Sequence, residues 1–132
     1  MKNFNTAAEA QEYFKNDRFA TVNGMKVDSL TEDGCICSLE LNENHRNALG
    51  GVMGGVLFTL ADFAFAISSN NVHMGTVAVD VSIQFLSAAK GTKLFAEASC
   101  VKDGRTTCVY QVTVTDDTGR KLALFTGTGY KG

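Results

Sequence analysis

The 132-residue chain contains no proline, two histidines, and no apolar run long enough to cross a bilayer. Without proline, its turns must be punctuated by glycine, of which there are 13. The charges nearly balance. A formal net charge of -2 and a pI near 5.6 leave no basic footprint for nucleic acid or an anionic membrane. The opening MKNFNTAAEAQEYFKNDRF is polar and lacks the apolar core of a signal peptide. The most apolar stretch, Gly54 to Ile67, is too short to span and carries Asp62. A cytoplasmic location is expected. Cys35, Cys37, Cys100 and Cys108 match no CxxC spacing and read as small buried hydrophobes of a reducing compartment. Cys35 and Cys37 should share one face of a strand, and Cys100 and Cys108 could lie opposite each other in a hairpin. His45 and His73 lack the spacing of a triad or a metal set, so neither metal nor redox cofactor is expected.

What remains is an ordinary globular composition, 45% hydrophobic and 20% charged, of single-domain length over residues 1–132. No repeat, linker or low-complexity tract interrupts it. Thr6-Ala7-Ala8-Glu9 forms a capping box that starts a short helix running to about Asn16. Strands are expected over about Phe19–Leu30 and Gly34–Leu41, then a loop, then a long helix from about Gly54 to Asn70. Thr76–Phe85 alternates, with Val77, Val79, Val81, Ile83 and Phe85 on one face. Strands over about Lys93–Lys102, Thr106–Thr115 and Lys121–Tyr130 follow, joined by turns at Asp103-Gly104 and Asp116-Asp117-Thr118-Gly119. Sequential hairpins argue for an antiparallel sheet, and a helix apolar nearly all round must be covered by it. The expected class is α+β, an antiparallel sheet wrapped around one central helix.

Between Asn47 and Val79 the chain carries one Asp, Glu, Lys or Arg, and that residue is Asp62. A carboxylate among Leu57, Phe58, Leu60, Phe63 and Phe65 must be partnered, protonated or open to a cleft. Its helical neighbours Thr59, Ala66 and Ser69 make a narrow stripe that resembles the wall of a pocket. A structural aspartate bonded to backbone would look the same; a perturbed carboxylate in a cleft would serve as base or nucleophile. The glycine cluster Gly50-Gly51-Val52-Met53-Gly54-Gly55 adds free N–H groups at the helix start, where an oxyanion could bind. Gly54 and Asp62 are eight residues apart, about 12 Å along a helix. They cannot both touch one carbonyl within one subunit. If both act in one site, two antiparallel helices of a dimer must supply them.

The stretch from Asn47 through Met53-Gly54-Gly55 to Leu60-Ala61-Asp62 resembles the acyl-CoA thioesterases of the hot-dog fold, closest to the PaaI-like group. SIQFLSAAKG (Ser82–Gly91), KDGRTT (Lys102–Thr107) and ALFTGTG (Ala123–Gly129) resemble it too, and the similarity covers about residues 17 to 130. The resemblance implies that Asp62 is the catalytic carboxylate, as nucleophile or as general base. It makes Gly54 of the opposite subunit the donor to the thioester carbonyl and Asn47 a polar positioning group. It implies dimers that pair into tetramers, with acyl- or aryl-CoA as substrate and coenzyme A as part of that substrate rather than a cofactor. Two departures stand out: Met53 replaces the histidine before the paired glycines, and a proline near Ala88 is missing. A thioether neither donates a strong hydrogen bond nor carries a proton.

Around that centre, Gly55, Thr59, Met53 and Ser82 are candidate substrate contacts, and Lys90 and Arg105 candidate partners for the phosphates of coenzyme A. The bland readings are strand alternation for Ser82 and solvated charge for the two cations. Met53 also favours a rival, a non-catalytic acyl-CoA-binding module. Asp62 favours the enzyme, because binding a thioester needs no carboxylate there. A dehydratase would want a histidine on the helix, and none is present.

Overall fold

The computed structural model describes residues 2–132. Thr6 caps helix α1 (Ala7–Tyr13) by accepting from the Glu9 N–H at 3.1 Å, while the Glu9 carboxylate reaches back to the Asn5 N–H. A 3-10 turn, Phe14–Asn16, completes the segment expected as one helix. The expected strand from Phe19 is then broken. Arg18–Val22 is a short helix, α2, and strand β1 begins only at Lys26 (Lys26–Leu30). The reason is the turn between them, where Gly24 adopts φ +97 and Met25 N–H bonds back to the Ala20 carbonyl.

Strand β2 (Gly34–Glu40), the long helix α3 (Gly54–Val72), and strands β3 (Val77–Phe85), β4 (Lys93–Asp103), β5 (Thr107–Asp116) and β6 (Lys121–Tyr130) follow the sequence expectation closely. All six strands pair antiparallel in one sheet, in the order β1-β2-β4-β5-β6-β3. The sheet curls around α3. Leu60, Phe63, Phe65 and Ile67 of the helix are buried against Cys35, Cys37 and Leu39 of β2 and Tyr110, Val112 and Phe125 of β5 and β6. Each fully buried side chain of this size contributes about 1.5–3 kcal/mol, so α3 is the organising element. Phe65 stacks edge-on with Tyr110 and tilts against Phe125. Gly129 makes room for it, since a Cβ there would lie 3.1 Å from the Phe65 ring and 2.7 Å from Thr76 Cγ2.

Two strand details depart from the sequence reading. A β-bulge at Val79, between Ala78 and Asp80, breaks the alternation of β3. Cross-strand partners share a face, so Ile83, opposite Phe125, faces the helix, whereas Val77, opposite the exposed Tyr130, faces away. A second bulge at Val101 sets Cys100 opposite Tyr110 and Cys108 opposite Asp103, so the two cysteines are not directly paired. Cys35 and Cys37 do share a face, with sulfurs 3.8 Å apart, and all four thiols are free.

Candidate functional site

The start of α3 is set by the loop before it. His45 is buried; its Nδ1 accepts from the Asn42 N–H at 3.0 Å, and its Nε2–H donates to the Asn23 carbonyl at 2.9 Å. The His45 carbonyl then accepts from the Met53 N–H at 3.0 Å. This histidine is therefore structural, tying the end of α2 to the entry of α3. Beyond it, Asn47 Oδ1 accepts from the N–H groups of Leu49 and Gly51, at 3.0 and 3.1 Å, with Gly50 at φ +88 completing the turn. These bonds consume the amide oxygen. The Asn47 NH2 makes no hydrogen bond among the described residues and is left to donate.

Met53 is the residue capping α3, and its thioether accepts nothing from the first turn. The N–H groups of Gly54 and Gly55 thus have no partner among the described residues, and they stand at the positive end of a 19-residue helix. Gly54, Asn47, Gly51, Phe85, Leu86 and Ser87 line a hollow of about 380 Å³. A Cβ on Gly54 would lie 3.2 Å from the tip of the Phe85 ring, so glycine lets the backbone border this hollow without pressing on that ring.

Asp62 opens elsewhere. It lies two turns along α3, half-buried, and makes no hydrogen bond or ion pair among the described residues. It lines a hollow of about 280 Å³ between α3 and α2, with Thr59, Phe58 and Phe63 from α3 and Asp17, Arg18 and Phe19 from the α2 side. The expected stripe is thus half right. Thr59 shares the hollow, but Ser69 is buried and turned to the Ala66 carbonyl, and the remaining walls are the aromatic rings of Phe58 and Phe63 on α3 and Phe19 on α2. Burial first, and then the Asp17 charge, push the Asp62 carboxyl above the usual carboxylate range. Thr59 donates its hydroxyl to the Gly55 carbonyl at 2.7 Å. Met53, Gly55, Phe19, Phe58 and Thr59 line an adjoining, mostly apolar hollow of about 320 Å³. The two hollows share Phe19, Phe58 and Thr59, so one groove runs along α3 from Met53 to Asp62.

Within one chain, then, Asn47 and Gly54 line one hollow and Asp62 another. Ser82 joins neither. Opposite Thr126 on β3, it sits on the sheet face away from α3 and accepts from Gln84 at 3.0 Å. Lys90 and Arg105 are exposed at opposite ends of the sheet. Lys90 is in the loop after β3, whose Leu86–Ala89 segment walls the Gly54 hollow, and Arg105 is in the β4–β5 turn. Of the three phenylalanines near Asp62 on α3, Phe65 is core, Phe63 is buried and lines the Asp62 hollow, and Phe58 lines it while exposed.

Two features around these hollows escaped the sequence reading. One is Asp17. The other is a staple on the loop that walls the Gly54 hollow. Asp116, buried at the end of β5, accepts from the N–H groups of Lys90 and Gly91 with one oxygen and from those of Thr118 and Arg120 with the other. These bonds outweigh the burial and hold its carboxyl well below the usual range. Asp117 does the same for Thr92 and Lys93.

Comparison with known proteins follows the same lines. A family model described as the thioesterase superfamily matches residues 49–123. The chain is 29% identical over 123 residues to acyl-coenzyme A thioesterase PaaI of Escherichia coli K12, covering 92% of this chain and 88% of that protein. The solved structure of E. coli PaaI superposes with a TM-score of 0.86 at 27% identity, over 96% of this chain and 95% of the other. A hypothetical thioesterase of Streptococcus pneumoniae TIGR4, solved with coenzyme A, superposes with a TM-score of 0.84 at 26% identity, over 92% and 96% of the two chains. The sheet-wrapped helix is accordingly the hot-dog fold.

Proposed function

The chain belongs to the thioesterase superfamily, and from that premise we propose that it is an acyl-CoA thioesterase. It hydrolyses acyl- or aryl-CoA thioesters to free coenzyme A and a carboxylic acid, in sites shared between two subunits. The observation that carries this reading is Asp62, an unpaired, half-buried carboxylate on an otherwise uncharged helix, opening into an aromatic-walled hollow. Such a group is costly to keep, and chemistry is the reason to keep it. The 29% identical acyl-coenzyme A thioesterase PaaI and the structure solved with coenzyme A support the substrate class.

The site needs a second subunit because the free N–H of Gly54 and the Asp62 carboxylate face different hollows, about 12 Å apart along one helix. Two α3 helices running antiparallel about a two-fold axis bring the Gly54 end of one beside the Asp62 of the other. Edge strand β3, with exposed Val77, Val79 and Phe85, and Leu86 just after it, offers the surface for that pairing. A dimer of dimers is the assembly proposed. Four free thiols suit a reducing, cytoplasmic setting, and no described helix is long and apolar enough to cross a membrane.

In the reaction, the Gly54 N–H and the Asn47 NH2 polarise the thioester carbonyl. Asp62 takes a proton from water as the water oxygen bonds to the carbonyl carbon, or attacks that carbon itself through an anhydride. The tetrahedral oxyanion is held by the helix N-terminus. Its collapse breaks the C–S bond, and the thiolate of coenzyme A leaves, taking up the proton that came from water; on the anhydride route water then hydrolyses the anhydride, releasing the carboxylic acid and restoring Asp62. No step requires a metal. Gly55 and Thr59 border the acyl groove, and Met53 gives it an apolar wall where the resemblance places histidine. Lys90 and Arg105, at opposite ends of the sheet within one chain, meet phosphates of one coenzyme only if they come from different subunits.

The test is release of free thiol from a panel of acyl- and aryl-CoAs by wild type and Asp62→Asn. Turnover by the wild type that collapses in the folded variant supports the enzyme. Saturable binding without turnover by either protein would leave a binding module, the reading that Met53 favours.

A further inference from the structure

We propose that Asp17 is a second carboxylate of the Asp62 site, a positioning residue whose charge keeps Asp62 ready to accept a proton. The proposal rests on Asp62 being the catalytic carboxylate. Asp17 precedes α2 in the position of a capping residue, yet its side chain makes no capping bond. Its backbone carbonyl is engaged instead, accepting from the N–H and the hydroxyl of Thr21 at 3.0 and 3.1 Å. The backbone is pinned and the carboxylate is left over, on the wall of the same 280 Å³ hollow as Asp62. An aspartate that does not cap its helix and faces a like charge has no stabilising role among the described contacts.

The other charges near Asp62 are few. Arg18 opens onto the same hollow but forms no ion pair with either carboxylate. Lys15, in the 3-10 turn, is paired with Glu12 at 2.9 Å. The sheet presents Cys35, Cys37, Cys100, Cys108 and Tyr110 toward α3, and none of them lines this hollow. Asp17 is therefore the like charge that acts on Asp62, adding to burial in raising its proton affinity. When water delivers its proton to Asp62 and its oxygen to the carbonyl carbon, the neutral carboxylic acid beside the Asp17 anion is favoured over two adjacent anions. A base whose proton affinity is raised toward the working pH is the more effective one.

The test compares wild type, Asp17→Asn and Asp17→Glu with a neutral acyl-CoA, reading kcat and KM across pH, with Asp62→Asn run in parallel. The Asp17 side chain makes no capping bond to lose, and asparagine suits a helix-start position as well as aspartate does, so the fold is kept. The acid limb of kcat should move to lower pH in Asp17→Asn and return in Asp17→Glu, with KM little changed. An acid limb that stays in place in Asp17→Asn overturns the role of Asp17. Full activity in Asp62→Asn would instead overturn the reading of Asp62 on which it rests.

Discussion

Proline at position 54 separates the Gly54 N–H from everything else the residue does. The first helical position is where proline is tolerated, because the N–H it removes has no partner within the helix. The structure fits that substitution. Met53, the preceding residue, has φ -64 and ψ 136, the extended conformation that proline requires of its neighbour. Gly54 N–H makes no bond among the described residues, so folding loses none. The one steric demand is the new Cβ, 3.2 Å from the tip of the Phe85 ring, a contact relieved by a small shift of that ring. Thermal unfolding of Gly54→Pro should therefore stay within about 5 °C of wild type. Catalysis should not survive so well. Loss of one oxyanion donor costs about 100- to 1000-fold in kcat, or about 3–4 kcal/mol. Gly54→Ala supplies the control, since it adds the same Cβ and keeps the N–H; its loss should be far smaller. Steady-state thiol release measures all three proteins. A folded Gly54→Pro enzyme with kcat within about threefold of wild type would refute the assignment of the Gly54 N–H to the oxyanion.

Asp116→Asn should cost about 2–4 kcal/mol of stability, because an amide NH2 must face either Lys90 and Gly91 or Thr118 and Arg120, all of them donors. The folded Asp116 carboxyl titrates below its unfolded value, so its contribution is present above the ordinary carboxylate range and is lost as pH falls through the folded value. Wild type should accordingly resist acid unfolding to lower pH than the variant, as followed by circular dichroism. The sign is opposite at Asp62, whose folded carboxyl holds its proton more tightly than the unfolded one. Asp62→Asn should raise the thermal midpoint at neutral pH, with the gain fading as the pH is lowered, even as it abolishes turnover.

Much of this was legible in the residues. Asp62 announced itself by the absence of any other charge between Asn47 and Val79, and eight residues of helix between it and Gly54 already meant that the two could share a site only across two subunits. The hairpins were marked by their Asp-Gly and Asp-Thr-Gly turns. Asp17 was missed because Phe19, Thr21 and Val22 have strand propensity, which concealed a five-residue helix. Its signal was present in the flanks, with Asp17 before the segment and Asn23-Gly24 after it, a start and a stop at helical spacing. The bulge at Val79 had no such signal, since it inserts a valine into an alternating pattern and only the pairing with β6 exposes it. The Asp116 staple joins residues 25 and 26 positions apart, beyond the reach of any local pattern.

The most direct test of the shared site is to mix two inactive proteins, Asp62→Ala and Gly54→Pro, under conditions where subunit exchange is demonstrated by native mass spectrometry. Each mixed dimer then holds one site with an intact Asp62 from one subunit and an intact Gly54 from the other. With random exchange at equal concentrations, about a quarter of wild-type activity should return. Demonstrated exchange with no recovery of thiol release would contradict a site built across two subunits.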